Sequence, residues 1–344
     1  MKKMCYRKIK ILLLLLISFF IFQQVSFCDQ TEERALIDVL ASAKNKKQEK
    51  KANFKLFQYY IDNKDYESAI TIGNELLNFQ LSKKQKYNVY YNLATSYLLL
   101  SKAEKALEVG REAQYLYPKK IETKLLLGNI YINNSLNELA IVKFKECLEI
   151  DDDNLEALTN LGNIYNFQEN YTASLNYFEQ AEREAVHDNT ELSIDDYINM
   201  AISAKEIGRR EQAQAILENI KKKNKKSSLL LVDIYRSKKE YDKAIKTLMP
   251  FVYQKDTDLE IYCNLAQMYL LSGKFNEAKD LLLYFKSRNE EDNEVIDMLL
   301  IESYHNLYHD QERVLIELRK IYNYTSLDYI KRIIGRVIAF EKTL

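Results

Sequence analysis

Histidine and cysteine are the side chains of this sequence that most readily bind metals or act as nucleophiles, and both are scarce. His305 and His309 are four residues apart, a spacing that puts two imidazoles on one face of a helix, as in two-histidine metal sites. No glutamate that could serve as a general base lies between them, although Asp310 and Glu312 follow closely. We therefore interpret the histidines as surface residues and expect no metal site.

Nucleophilic and phosphate-binding chemistry also lack support in the sequence. Cys147 and Cys263 have no histidine close in sequence, so neither fits the pattern of an activated thiol. We expect both to be small buried residues that lie too far apart to form a disulfide. The seven glycines do not cluster, so no glycine-rich phosphate loop is present. We expect no catalytic residue and no cofactor.

The elements of this chain recur with a period of about 34 residues. The pentapeptide LGNIY at 127–131 appears again, unchanged, at 161–165. A small residue then marks the start of a second helix in each unit, with a degenerate eighth unit at Val314. The markers are Ala69, Ala106, Ala140, Ser174, Ala213, Ala244 and Ala278. Their spacing varies between 31 and 39 residues, and we expect loops to absorb the variation.

A tyrosine recurs on the first helix of nearly every unit, from Tyr60 to Tyr304. Together with Leu-Gly, the alanine marker and Phe144, it gives a pattern that resembles the tetratricopeptide-repeat family. The resemblance implies an all-α, right-handed helical-repeat solenoid of about eight helix–turn–helix units. Gly128 and Gly162 are expected where a neighbouring helix approaches closely. Gly208 and Gly273 are expected in the turns between helices, and Pro250 is expected to end or kink its helix near Met249.

The resemblance also implies a binding groove, because first helices line the concave face in this family and meet bound peptide there. Asparagine recurs at two positions of these helices, and its amide can both donate to and accept from a peptide backbone. The expected groove residues are Asn92, Asn160, Asn199 and Asn264 at one position, Asn129 and Asn163 at another, with Tyr91, Thr95, Asn133, Thr159 and Asn166 as further candidates. The same asparagines also belong to the general repeat pattern, so a purely structural role stays open. Lys143 and Glu146, on a second helix, are expected on the convex face.

The repeats are flanked by different segments. Residues 1–28 combine a basic start with an apolar run of 12 residues at 11–22, which is typical of a signal peptide. Residues 29–49 are expected to form a helix and linker, with a solvated turn at the lysine-rich stretch 44–51. Repeats are expected over 50–325, and residues 326–344 carry an apolar stripe that predicts a C-terminal capping helix.

The charge balance and the amino-terminal segment, residues 1–28, limit the functions that the sequence supports. After Cys28 the chain carries 45 basic and 50 acidic residues, a balance that gives no support to a nucleic-acid partner. We expect a non-enzymatic exported scaffold that binds a protein or peptide in its groove, across repeats two to five, in the periplasm or cell envelope. The alternative is an envelope-assembly or polysaccharide-associated factor, attached to the membrane through residues 1–28.

The first prediction concerns the leader. Ser26 and Cys28 have the spacing of a signal-peptidase site, so the mature chain should begin at Asp29. Amino-terminal sequencing of the native protein checks this. A start at Met1 would indicate an uncleaved anchor, and a lipid mass on Cys28 would indicate a lipoprotein; either result contradicts cleavage before Asp29.

Overall fold

The computed structural model describes residues 31–252, 259–288 and 293–308, together with Ile316 and Arg319. Within these ranges the chain is helical with short turns and contains no strand. It divides into two compact units, Met1–Ile164 and Tyr165–Leu344. The leader, His309, Val314 and the expected capping helix at 326–344 lie outside the described residues.

The first unit is built from helix–turn–helix pairs, α2 with α3, α4 with α5 and α6 with α7, preceded by the helical stretch α1. Its helices are α1 (residues 31–41), α2 (Lys46–Asp62), α3 (Tyr66–Leu76), α4 (Lys83–Leu99), α5 (Ala103–Leu116), α6 (Ile121–Asn133) and α7 (Asn137–Leu148), and the unit boundary falls within α8 (Leu155–Phe167).

The second unit continues the same pairing. Its helices are α9 (Tyr171–His187), α10 (Ile194–Glu206), α11 (Arg210–Asn219), α12 (Lys225–Ser237), α13 (Tyr241–Val252), α14 (Leu259–Leu271), α15 (Phe275–Arg288) and α16 (Glu294–Tyr308). Its core includes aromatic residues of successive pairs, such as Tyr235, Tyr262 and Phe285.

The repeat register is confirmed by the second helices. Each of the seven small marker residues, from Ala69 to Ala278, is the fourth residue of its helix, and each is completely buried. A larger side chain at this position would hold the neighbouring helix away, because interiors are packed without spare volume. Alanine and serine therefore set the distance between packed helices.

The turns within the pairs share one backbone geometry. A residue with positive φ ends each first helix, and it is Gly208 or Gly273 in two turns, as the sequence predicts. The other turns place Lys64, Ser101, Ser135, Glu169 and Lys239 in the same conformation, with φ between 56° and 59°. A left-handed residue after the helix reverses the chain within two or three residues, which explains the short connections.

One expectation about local structure is wrong. Residues 44–51 are not a solvated turn, because α2 begins at Lys46. The Asn45 side chain caps that helix by accepting from the backbone N–H groups of Lys47 and Gln48.

The sequence predicts that Pro250 ends or kinks its helix near Met249. The helix does not end at Met249, since α13 runs to Val252 with the proline in its last turn; the kink stays a prediction. The Tyr262 hydroxyl donates to the Val252 carbonyl at 2.9 Å and satisfies that helix end.

Helices, rather than loops, absorb much of the variation in repeat length. The interval from Ser174 to Ala213 exceeds 34 by five residues, and α9 is 17 residues long against 12 for α7. The following interval, to Ala244, is short, and α11 has only 10 residues. An added helical turn satisfies its own backbone hydrogen bonds, whereas an added loop does not. The expectation about loops is therefore wrong for the second helices of the fourth and fifth repeats, α9 and α11.

Gly128 lies where the sequence predicts a close approach. A Cβ at this position would stand 2.6 Å from Cε1 and Cζ of Phe144, a fully buried ring on α7. At Gly110 the Cβ would instead meet the end of the Leu127 side chain at 3.0 Å. The flexible leucine terminus can move, whereas the packed ring cannot.

Replacing Gly128 with alanine should therefore destabilise the protein by about 1–3 kcal/mol through overpacking, although alanine favours helix formation. Gly110→Ala is the matched control and should change the free energy of unfolding by less than about 1 kcal/mol. Urea denaturation of both variants measures this. Equal unfolding free energies for Gly128→Ala and wild type would show that the ring does not block the position.

A buried hydrogen bond joins the first helices of neighbouring repeats. The Tyr87 hydroxyl on α4 and the Thr123 hydroxyl on α6 are 2.8 Å apart, and both residues are buried. The Tyr87 ring also meets Tyr117 edge-on, with 5.1 Å between ring centroids, and lies 5.0 Å from the Lys120 ammonium. This cluster fixes α4 against α6.

Thr123→Val keeps the shape of the side chain and removes its hydroxyl, so it should cost about 1–3 kcal/mol by leaving the Tyr87 hydroxyl buried without its partner. The double variant Tyr87→Phe/Thr123→Val removes both hydroxyls and should be less destabilised than Thr123→Val alone. Thermal or urea unfolding of the three proteins decides the point. Purely additive losses would contradict the coupling.

Candidate functional site

First helices of successive repeats form one face of the first unit. α4 packs against α6 in addition to its own partner α5, so the two first helices are direct neighbours. Tyr91 lies half-buried on α4 in this row. Its ring stacks on Tyr87 with 6.0 Å between centroids and 27° between planes. An aromatic surface with a polar edge is therefore present beside α6.

Carboxylates from the next two first helices lie near the same tyrosine. Burial raises the pKa of Tyr91, and the proximity of Tyr87, Glu122 and Glu156 raises it further. The Asn129 side chain on α6 donates from Nδ2 to Oε1 of Glu156 on α8 at 3.0 Å. We call these four residues, Tyr91 of α4, Glu122 and Asn129 of α6 and Glu156 of α8, the polar row.

Glu122 and Glu156 are the residues of this row that the sequence reasoning missed. They stand 34 residues apart at the second position of their helices, so the repeat itself carried the signal. Acids in a first turn also stabilise a helix through its dipole. Because helix stabilisation already explains these two acids, the sequence alone does not indicate that they also contact a ligand.

Three of the predicted asparagines bond to their own helices. The Nδ2 atoms of Asn92, Asn160 and Asn264 donate to the backbone carbonyls four residues earlier, at 2.9–3.0 Å. Thr95 behaves in the same way, since its hydroxyl donates to the Tyr91 carbonyl at 3.0 Å. These side chains are partly exposed on first helices, but the donors that we predicted for a peptide are bonded locally.

The remaining groove candidates differ from one another. Asn163 is half-buried on α8, one repeat after Asn129, and Asn133 is exposed at the end of α6. In the second unit, Asn166 Nδ2 donates to the Asn199 carbonyl at 3.0 Å and to the Ser203 hydroxyl at 2.8 Å. Asn166 therefore holds α8 against α10, and Asn199 takes part through its backbone.

Lys143 and Glu146 lie on the second helix α7 and are bonded to each other. Glu146 accepts from Lys143 Nζ at 2.8 Å and is also bonded to Lys124 of α6, and all three side chains are less than one-third exposed. Burial alone raises the pKa of Glu146, but the hydrogen bonds from the two lysines lower it. The trio links α6 to α7.

Neither cysteine is activated. Burial raises the pKa of the Cys147 thiol to about 12 and also raises the pKa of Cys263. Both are free, and Cys147 is completely buried, which fits the role of a small core residue. His305 is exposed on α16. Across the described ranges, no three His, Cys, Asp or Glu side chains come together as a metal site.

Among the described helices, none is both long enough and apolar enough to cross a membrane. Residues 1–28 lie outside the described ranges. Attachment through this segment stays a prediction.

Comparisons with known proteins identify the repeats. Family models described as tetratricopeptide repeat match residues 121–154, 155–181 and 259–283. No curated protein matches the chain in sequence. Among solved structures, a tetratricopeptide repeat protein from Parabacteroides merdae ATCC 43184 has 18% identity and a TM-score of 0.50, with 74% of this chain and 98% of that chain covered.

The structure of pilF from Pseudomonas aeruginosa is also similar, with 16% identity, a TM-score of 0.50, and coverage of 64% of this chain and 97% of that chain. At these identities the likeness concerns the fold. It agrees with the helix pairs, the buried markers and the matched repeats. The chain contains tetratricopeptide repeats and has an all-α helical-repeat solenoid fold.

Proposed function

We propose that this protein is a non-catalytic scaffold, exported to the cell envelope, that binds an extended polypeptide segment across α4, α6 and α8. The observation that carries the proposal is the polar row, in which Asn129 bonds to Glu156 at 3.0 Å and the charges of Glu122 and Glu156 raise the pKa of Tyr91. Tetratricopeptide repeats are typically interaction scaffolds rather than enzymes. The leader at residues 1–28 supports export.

The chemistry of the row favours an extended backbone as the ligand. Asn129 and Asn163 stand at the same position of consecutive first helices, so a chain that crosses both would meet an asparagine on each helix. The bound chain would compete with Glu156 for the Asn129 amide. Tyr91 adds a half-buried ring for an apolar side chain. Glu122 and Glu156 disfavour acidic residues in the segment that lies over them.

The partner is found by placing a photo-crosslinking amino acid, p-benzoylphenylalanine, at position 163 and isolating the adducts from envelope extracts. The control position is Asn176, which is exposed on the second helix α9. A partner that occupies the row should be crosslinked from position 163 and not from position 176. Equal crosslinking from both would indicate non-specific capture.

The crosslinked segment then allows a quantitative prediction. Asn129→Ala/Asn163→Ala should weaken binding by about 1–3 kcal/mol, because two modest hydrogen bonds at separate sites tend to add. The matched control is Asn176→Ala/Asn276→Ala, which removes two exposed amides from the second helices α9 and α15. Titration calorimetry compares the two. A silent row pair together with a weakened control pair would eliminate the row as the binding site.

A further inference from the structure

A cavity lies inside the second unit, where the long second helix of the fourth repeat meets the fifth repeat. Glu182 of α9, the connection to α10, the first two turns of α10, and α11 with the residues after it line a cavity of about 420 Å³. Pockets of this size accept small ligands or single large side chains. The cavity forms beside the long α9 and the short α11, where successive pairs differ most in length.

Apolar side chains form much of the cavity wall. They are Leu192, Ile194, Met200, Ile216 and Ile220. Four of them are buried residues, so this part of the wall belongs to the core of the unit: Leu192, Met200, Ile216 and Ile220. Its occupant therefore needs an apolar portion in contact with these side chains.

The carboxylate of Glu182, in the cavity wall, has neither a hydrogen-bond donor nor a cation bonded to it within the described part of the chain. Glu182 on α9 is half-buried and takes part in no hydrogen bond or ion pair among the described residues. The nearby Gln212 amide donates to Glu179 instead, at 2.7 Å, and Arg209 lies 3.6 Å from the same Glu179 carboxylate. No cation of the described residues forms an ion pair with Glu182 or lowers its pKa.

The other charged groups around the cavity do not supply that cation. Glu191 is paired with Lys221, both largely exposed at the rim, and Lys222 is exposed as well. Burial raises the pKa of Glu182, and the Glu179 charge raises it further. Burial also raises the pKa of Tyr197, as do the charges of Glu182 and Glu191, although a backbone hydrogen bond from Leu192 and the Lys221 charge lower it. The negative charge thus dominates the interior.

We propose that this cavity receives an arginine side chain of a polypeptide partner, with its methylene stem against the apolar wall and its guanidinium on Glu182. Guanidinium is weakly hydrated and combines a planar hydrogen-bonding head with an apolar stem, which matches a half-buried acid set in an apolar wall. The site belongs to the second unit alone and uses none of the residues of the polar row. It is therefore independent of the function proposed above.

The test uses the full chain carrying ¹³C-methyl methionine, in which Met200 reports on the cavity wall and is assigned with Met200→Leu. The probe is acetyl-Gly-Arg-Gly-amide, and its matched control contains citrulline, which is neutral and nearly isosteric. The arginine peptide should shift the Met200 signal saturably, with a Kd on the order of 1 mM. The citrulline peptide should bind at least about tenfold more weakly, because it lacks the charge-assisted hydrogen bond.

Variants of the chain locate the contact. Glu182→Gln should weaken the arginine peptide about tenfold or more, whereas Glu206→Gln, the same change at an exposed site on α10, should have no effect. Ala215→Trp, at the exposed rim of the cavity, should abolish the Met200 shift. Glu182→Gln should also leave the Tm unchanged or higher, because a raised carboxyl pKa means that the charged form destabilises the folded state above that pKa.

Four outcomes overturn the proposal. They are the absence of a Met200 shift, equal binding of the citrulline peptide, equal weakening by Glu206→Gln, and a lower Tm for Glu182→Gln with unchanged peptide affinity. A fifth outcome comes from agmatine, which carries the guanidinium and its methylene stem without a peptide and so distinguishes a small amine from a polypeptide. Binding of agmatine at least tenfold more tightly than the peptide would assign the cavity to a small amine and overturn a polypeptide partner.

Discussion

Each pair of helices depends on the exclusion of large side chains from one position at the start of its second helix. Seven residues from Ala69 to Ala278 occupy that position, and none has any exposed surface. Ser174 shows what the position faces, since its hydroxyl accepts from Ser203 of the following first helix at 2.8 Å in a buried site. Close approach at this point brings the first helices of neighbouring repeats together. The contacts of the polar row follow from that spacing.

Features that recur with the repeat could be predicted from the sequence, and features that occur once could not. The markers, the turn glycines and the close approach at Gly128 recur with the repeat, so the sequence predicted them correctly. The length of α9 was not predictable in this way, because five extra residues fit a loop or a helix equally well by spacing alone. The cap at Asn45 was missed because a dense run of lysine masked a good helix start.

The candidate site shows a sharper limit. Sequence placed Asn92, Asn160 and Asn264 correctly on first helices, but it could not tell whether their amides would bond to a ligand or to their own helix. A carbonyl four residues earlier is always within reach, so the local bond competes with any partner. Asn129 differs because an acid of the next repeat accepts its amide. Whether the amide bonds to the next repeat or to its own helix depends on how α6 and α8 lie together, and the spacing of residues in the sequence does not reveal this.

Regular and irregular repeats therefore suit two different kinds of recognition. Where the period is constant, as between Asn129 and Asn163, equivalent side chains recur and several weak contacts act together on an extended chain. Where the period changes, around α9 and α11, the helices no longer match in length and their side chains enclose a cavity. A half-buried carboxylate in such a wall opposes folding unless a cation reaches it. Burial and the Glu179 charge both raise the pKa of Glu182, so its charged form is disfavoured in the folded chain, and a cationic ligand would offset that effect.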